Sequence, residues 1–113
     1  MDVFYKTIIK TGFAEIAERG SRFIAVVERV HNRGNFAAFL EREKVKYPDA
    51  THHCWAFRIG AKRTEELSND DGEPSGSAGL PILRVLSGAE LVDVACVVTR
   101  YFGGTKLGVG GLM

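Results

Sequence analysis

Apolar and polar positions alternate or recur along this chain in segments short enough to be read one by one. Tyr5–Ile9, Gly12–Ala17 and Phe23–Arg29 are β-rich or alternating runs separated by Gly12 and by Gly20-Ser21, and they predict three short strands. His31-Asn32-Arg33-Gly34 is a turn. From Asn35, a residue suited to cap a helix, Phe36, Phe39, Leu40 and Tyr47 fall on one helical face, and Pro48 stops the helix, because the residue before a proline avoids the α region. His52–Ile59 predicts a strand with Trp55, Phe57 and Ile59 on the face toward that helix. Gly60–Asn69 is charged and polar and predicts a mobile loop. Leu80, Leu83 and Leu86 have helical spacing, so Leu80–Ser87 predicts a short helix with Ser77 as its cap and Gly88 as its stop. Leu91–Thr99 is apolar and β-branched and suits a central strand. The order is β-β-β-α-β-α-β, followed by an incipient helix from Leu107. It predicts an α+β fold, a two-layer sandwich in which helices cover one face of a mostly antiparallel sheet of about four strands.

Two loops break this pattern. Asp70-Asp71-Gly72-Glu73-Pro74-Ser75-Gly76-Ser77-Ala78-Gly79 places three carboxylates, two hydroxyls and three glycines between apolar runs. Arg100–Gly111 is a second glycine-rich segment, and nine of the thirteen glycines lie between Gly72 and Gly111. Glycine is used where backbone must turn sharply or approach something closely. The two loops are therefore expected to meet at one sheet edge and form the working surface.

Length and composition narrow the chemistry. At 113 residues, 45% hydrophobic and 26% charged, the chain is a single ordinary domain. A net charge of +1 supplies no general basic field, so nucleic-acid binding would need a local patch. Cys54 and Cys96 lack metal spacing and read as buried free thiols. No signal peptide or membrane-length apolar run occurs, which favours the cytoplasm.

The loops offer three chemistries. Asp70, Asp71 and Glu73 have the oxygens a hard cation such as Mg²⁺ takes, but Asp-Asp-Gly is equally a turn signature. Ser75, Gly76 and Ser77 precede a helix and, with Gly103, Gly104, Arg100 and Lys106 of the second loop, form a candidate phosphate or nucleic-acid backbone site. The Walker and dinucleotide fingerprints are absent. Arg100 is equally suited to pair internally with Asp70, Asp71 or Glu73. His52 and His53 point to opposite faces of one strand, so they cannot share a metal. His53 and Tyr101 are further candidate site residues. No nucleophile–base pair can be argued from spacing, and the reading leans against catalysis.

Three long stretches, Ala50–Ala56, Asp70–Leu83 and Val97–Leu112, together with Ser21-Arg22-Phe23-Ile24-Ala25, resemble the signature of the YigZ/IMPACT family over roughly residues 15–113. The resemblance implies a two-layer fold like the C-terminal domain of a small-subunit ribosomal protein and domain IV of elongation factor G. It implies a second, ferredoxin-like domain after this one in bacterial members, and an RWD domain before it in eukaryotic members, which regulate translation on the Gcn pathway. The Arg-Ala-Tyr that usually follows Gly-Gly-Leu-Val is missing, and Met113 stands where Val is common. The expectation is a bacterial-type N-terminal domain cut before its last helix. The expected function is a non-catalytic RNA- or ribosome-associated module, without a required cofactor. The alternatives are an enzyme on a phosphorylated or nucleotide substrate with Mg²⁺, and a protein-interaction domain that contacts a translation factor.

Overall fold

A computed structural model describes residues 5–102. Hydrogen bonding organises them into β1 (Gly12–Glu18), β2 (Ser21–Arg29), α1 (Arg33–Lys46), β3 (His52–Ile59), β4 (Glu65–Asn69), α2 (Gly79–Gly88) and β5 (Val94–Tyr101). The strands form one sheet in the order β1-β2-β5-β3-β4, and every neighbouring pair is antiparallel. The α+β class and the antiparallel sheet agree with the sequence pattern.

The sheet has five strands where about four were expected. Tyr5–Ile9 is not one of them, since it contributes a single parallel bridge between Lys6 and Leu91. The fifth is β4, inside the stretch expected to be a mobile loop. It is an edge strand with mostly exposed side chains, tied by ion pairs from Glu65 to Arg33 and from Glu66 to Arg58. Charge on an edge strand discourages pairing with other chains, and here it also conceals the strand in the hydropathy pattern.

β1 and β2 are joined by Arg19-Gly20, with φ of 53° and 82°. Positive φ at both central residues is what a two-residue hairpin of this hand requires. The α1 cap is Asn32 and not Asn35: Asn32 Oδ1 accepts the Asn35 N–H at 2.8 Å, and Asn35 Oδ1 accepts the His31 N–H at 3.0 Å. This reciprocal arrangement sets the helix start three residues earlier than expected.

Because side chains alternate along a strand, the two faces of the sheet can be listed by parity. Ile24 and Val26 of β2, Phe57 and Ile59 of β3, and Ala95 and Val97 of β5 face α1 and pack with Phe36 and Phe39. The Phe36 ring lies 4.7 Å from Trp55 and 4.8 Å from Phe57, so the expected Trp55–Phe57–Ile59 face does meet α1. Ala56 of β3 and Val94 and Cys96 of β5 face the other way and pack with Leu86 of α2. The helices thus cover opposite faces, not one face as expected. The α2 pattern is consistent with either arrangement, and only the strand parity of its neighbours decides between them.

Candidate functional site

The site is built where β4 gives way to the acidic loop and α2. Asp70 is its organiser. Oδ2 accepts the Gly76 N–H at 2.8 Å, and Oδ1 accepts those of Ala78 and Gly79 at 3.1 and 2.7 Å. The bonds from Gly79, Gly76 and Ala78, in that order, hold this carboxyl below the usual carboxylate range. Gly79 must be glycine, because a Cβ there would lie 2.6–2.8 Å from the backbone of Asn69. The helix N-terminus that the sequence offered as a phosphate cradle is therefore filled from within by a side chain nine residues earlier.

Asp71 and Glu73 have different partners. Asp71 Oδ2 accepts the His53 backbone N–H at 2.6 Å, and its own N–H donates to Asn69 Oδ1 at 2.7 Å. The Asp71 carbonyl lies 2.6 Å from His52 Nδ1. Glu73 presents both carboxylate oxygens to Arg100 Nη1, each at 2.7 Å. Its side chain is only 9% exposed, so this pair is largely out of water. The three carboxylates go to three separate partners, and among the described residues no group of three His, Cys, Asp or Glu side chains is placed to hold a metal ion.

Arg100 leaves β5 on the α2 face, beside Phe23 of β2 and opposite His52 of β3. Its guanidinium packs over the rings of Phe23 and Phe102, at 5.3 and 5.1 Å from their centroids. Next to it opens a cleft of about 370 Å³, walled by Phe23, Cys54, Pro74, Ala78, Ile82 and Val98 and edged by Glu73, Ser77 and Arg100. Burial, reinforced by Glu73, Asp71 and Asp70, pushes the Cys54 thiol up to about 12, and it donates to the Asp70 carbonyl at 3.2 Å. This thiol is an inert floor and not a nucleophile.

Of the residues singled out from sequence, Asp70, Asp71, Glu73, Gly76, Ser77 and Arg100 share this loop-and-cleft region. Ser75 is exposed on the same loop. His53 and Tyr101 are on the other side of the sheet. The His53 ring sits 3.0 Å from the Tyr47 carbonyl, and the Tyr101 hydroxyl donates to Asp49 Oδ1 at 3.0 Å. The histidine on the cleft side is His52, whose Nε2 is 4.0 Å from Glu73. Its register with Arg100 puts it there, a signal that requires the strand pairing. Sequence reading also missed Phe23, Cys54, Ile82 and Val98 as cleft residues, because apolar side chains in strands and helices read as core. Gly103, Gly104 and Lys106 lie outside the described residues, and so does the expected meeting of the two glycine loops.

These features define a small α+β domain with a loop-built apolar cleft. The chain belongs to the IMPACT family: residues 19–113 match the Impact N-terminal domain. It is 46% identical over 109 residues to IMPACT family member YvyE of Bacillus subtilis, covering 96% of this chain and 50% of that protein. It is 42% identical over 95 residues to IMPACT family member YigZ of Escherichia coli, covering 82% of this chain and 47% of that protein. The chain thus spans about half the length of the curated relatives it matches. Among solved structures, a hypothetical protein superposes with a TM-score of 0.84 at 36% identity, over 94% of this chain and 52% of the other. The two-domain translational regulator Yih1 superposes with a TM-score of 0.66 at 28% identity, over 92% of this chain and 42% of the other. No helix among the described residues is long and apolar enough to cross a membrane.

Proposed function

We propose that this chain is a non-catalytic module of a translation regulator, and that it works by docking a protein partner in the cleft on the α2 face. Kinship with the translational regulator Yih1 supports the setting. The observation that carries the choice of a protein partner is the state of the site's charges. Arg100 is neutralised by Glu73, and the N–H groups at the start of α2 are taken by Asp70. Many other cations are paired too: Arg22 with Glu15, Arg33 with Glu65, Arg42 with Glu28 and Arg58 with Glu66. A surface that reads phosphate needs free, positioned cations. An apolar cleft with an internally balanced rim suits a protein surface better.

The test adds the chain to a cell-free translation reaction and follows reporter synthesis. The wild type is expected to change the output. Ile82→Arg, which fills the cleft with charge, is expected to lose the effect while keeping its helical circular dichroism. The exposed pair Lys62→Ala with Arg63→Ala is the control and retains the effect. RNA affinity measured across a salt series decides against the alternative. Tight binding with a steep salt slope that Arg100→Ala with Lys106→Ala flattens, and Ile82→Arg leaves intact, would overturn the docking reading in favour of an RNA-binding one.

A further inference from the structure

We propose that the outer edge of β1 is a docking surface for a second copy of this chain, the two β1 strands pairing antiparallel about a two-fold axis at Ala14. This surface involves no residue of the cleft and is independent of the docking reading above.

The sheet has two edges, β1 and β4. β4 is five residues long, and its glutamates are ion-paired to Arg33 and Arg58. β1 is seven residues long and every one of them is exposed, so neither helix covers it. It holds no lysine and no proline, the residues that ordinarily blunt an edge. Every second residue of an antiparallel strand directs its N–H and C=O away from its partner. On the side away from β2, β1 has no neighbouring strand among the described residues. An added strand satisfies such groups along the whole edge.

What selects a second copy is the charge pattern of the strand itself. Lys10 lies two residues before β1, and Glu18 is its last residue. Neither makes an ion pair among the described residues. Glu15 is already paired with Arg22. An antiparallel copy centred on Ala14 sets Lys10 opposite Glu18 of the second copy, and the two-fold axis makes this pair twice. The same register sets Glu15 opposite Phe13 of the second copy. Centring on Glu15 would instead oppose two glutamates, which is destabilising.

The apolar side chains fit the same register. Phe13 is 64% exposed, and its pairing with Val26 places it on the α1 face. Diagonal neighbours across a strand pair are within reach of aromatic side chains, so the two Phe13 rings meet beside the axis. Ile16 is 59% exposed on the opposite face and comes over Gly12 of the second copy, where the space is open. Ala14, at the axis, is small enough for two facing copies. An apolar centre with charged ends is the ordinary anatomy of a protein interface.

Sedimentation velocity of the whole chain, from low micromolar to millimolar concentration, reads the association. The mass is expected to rise from one chain to two. Phe13→Lys puts a charge at an exposed position and is expected to keep the chain monomeric throughout, with unchanged circular dichroism. Lys10→Glu opposes like charges at both ends of the strand pair and is expected to weaken the dimer about tenfold. Lys10→Glu combined with Glu18→Lys is expected to restore the wild-type association, a rescue that a merely structural effect would not give. Lys10 lies outside the strand, so this charge swap can be read even if Phe13→Lys unfolds. A monomer at every concentration would overturn the proposal. So would a dimer that Phe13→Lys leaves intact, or a double variant that associates no more tightly than Lys10→Glu alone.

Discussion

The two faces of the sheet are built by opposite means. On the α1 face, large rings interlock: Phe36, Phe39 and Phe57 are buried, and Trp55 stacks against Phe57 with rings 4° from parallel and 6.0 Å apart. On the α2 face the buried residues are small or aliphatic: Ala56, Val94, Cys96 and Leu86. What fixes the geometry there is a polar loop, pinned by the Asp70 carboxylate and the Asp71 bond to β3. One face obtains order from apolar burial around its aromatic cluster. The other obtains order from hydrogen bonds and leaves a cleft. A fold this small has little interior to bury, and most of its large buried rings are gathered on one face.

The sharpest way to break this contrast is truncation on each side. Phe57 is 1% exposed, and Phe57→Ala should cost about 3–5 kcal/mol of unfolding free energy. Ile82 borders the open cleft, so Ile82→Ala should cost only about 1 kcal/mol. Urea unfolding of the two variants gives the comparison directly. Equal losses would mean that the α2 face is packed as tightly as the α1 face.

A second probe goes to the junction of β4 and α2. Gly79→Ala puts a methyl against the Asn69 backbone, which cannot swing aside as a side chain would. The expected loss is roughly 1–3 kcal/mol. It should be accompanied by weaker protection of the Ala78 and Gly79 amides against hydrogen exchange, since those donors would be pushed off Asp70. A neutral substitution with unchanged protection would show that the loop tolerates displacement and does not fix the cleft.

The contrast also governs what could be read beforehand. β2, β3, β5 and α1 announce themselves because burial on the aromatic face imprints a regular apolar period. The long motif from Asp70 to Gly79 is legible as unusual, yet its mechanism is not. Asp70 bonds to residues six, eight and nine positions later, beyond any local capping rule. β4 is hidden because four of its five residues are polar or charged and most stay exposed, so the strand leaves no apolar period of its own. The reverse holds for Tyr5–Ile9, where β-prone residues find one bridge and no ladder. The histidine pair is half legible: alternation separates His52 from His53, but only the register with Arg100 assigns His52 to the cleft side.

Protonation offers a third probe, confined to the polar side. The folded state holds the Asp70 carboxyl below its ordinary value, so its contribution to stability is complete above the unfolded pKa. It is lost as pH falls through the depressed folded value, below the usual Asp range. The stability difference between wild type and Asp70→Ala should therefore be constant near neutrality and shrink on acidification below pH ~4. Thermal unfolding across that range measures it. A difference that stays constant into strong acid would remove the carboxylate from its role as the loop's organiser.

The smallest expected effects concern the two helix starts. α1 is capped locally: Asn32 Oδ1 accepts the Asn35 N–H three residues on. Asn32→Ala should cost about 1 kcal/mol, the ordinary loss of a good cap. α2 carries no side-chain cap from its own cap residue, Ala78. The sequence expectation gave this role to Ser77, but the Ser77 hydroxyl donates to the Pro74 carbonyl at 2.5 Å, within the loop and in exposed surroundings. The donors it was expected to serve are held by Asp70. Ser77→Ala should therefore change stability by no more than about 0.5 kcal/mol, as for an ordinary surface substitution. Parallel urea titrations of the two alanine variants test the difference. If Ser77→Ala costs as much as Asn32→Ala, the serine supports the helix start in solution and the two faces begin their helices by the same device. If it is neutral, the start of α2 belongs to Asp70, and the loop, the helix and the cleft stand or fall with one carboxylate.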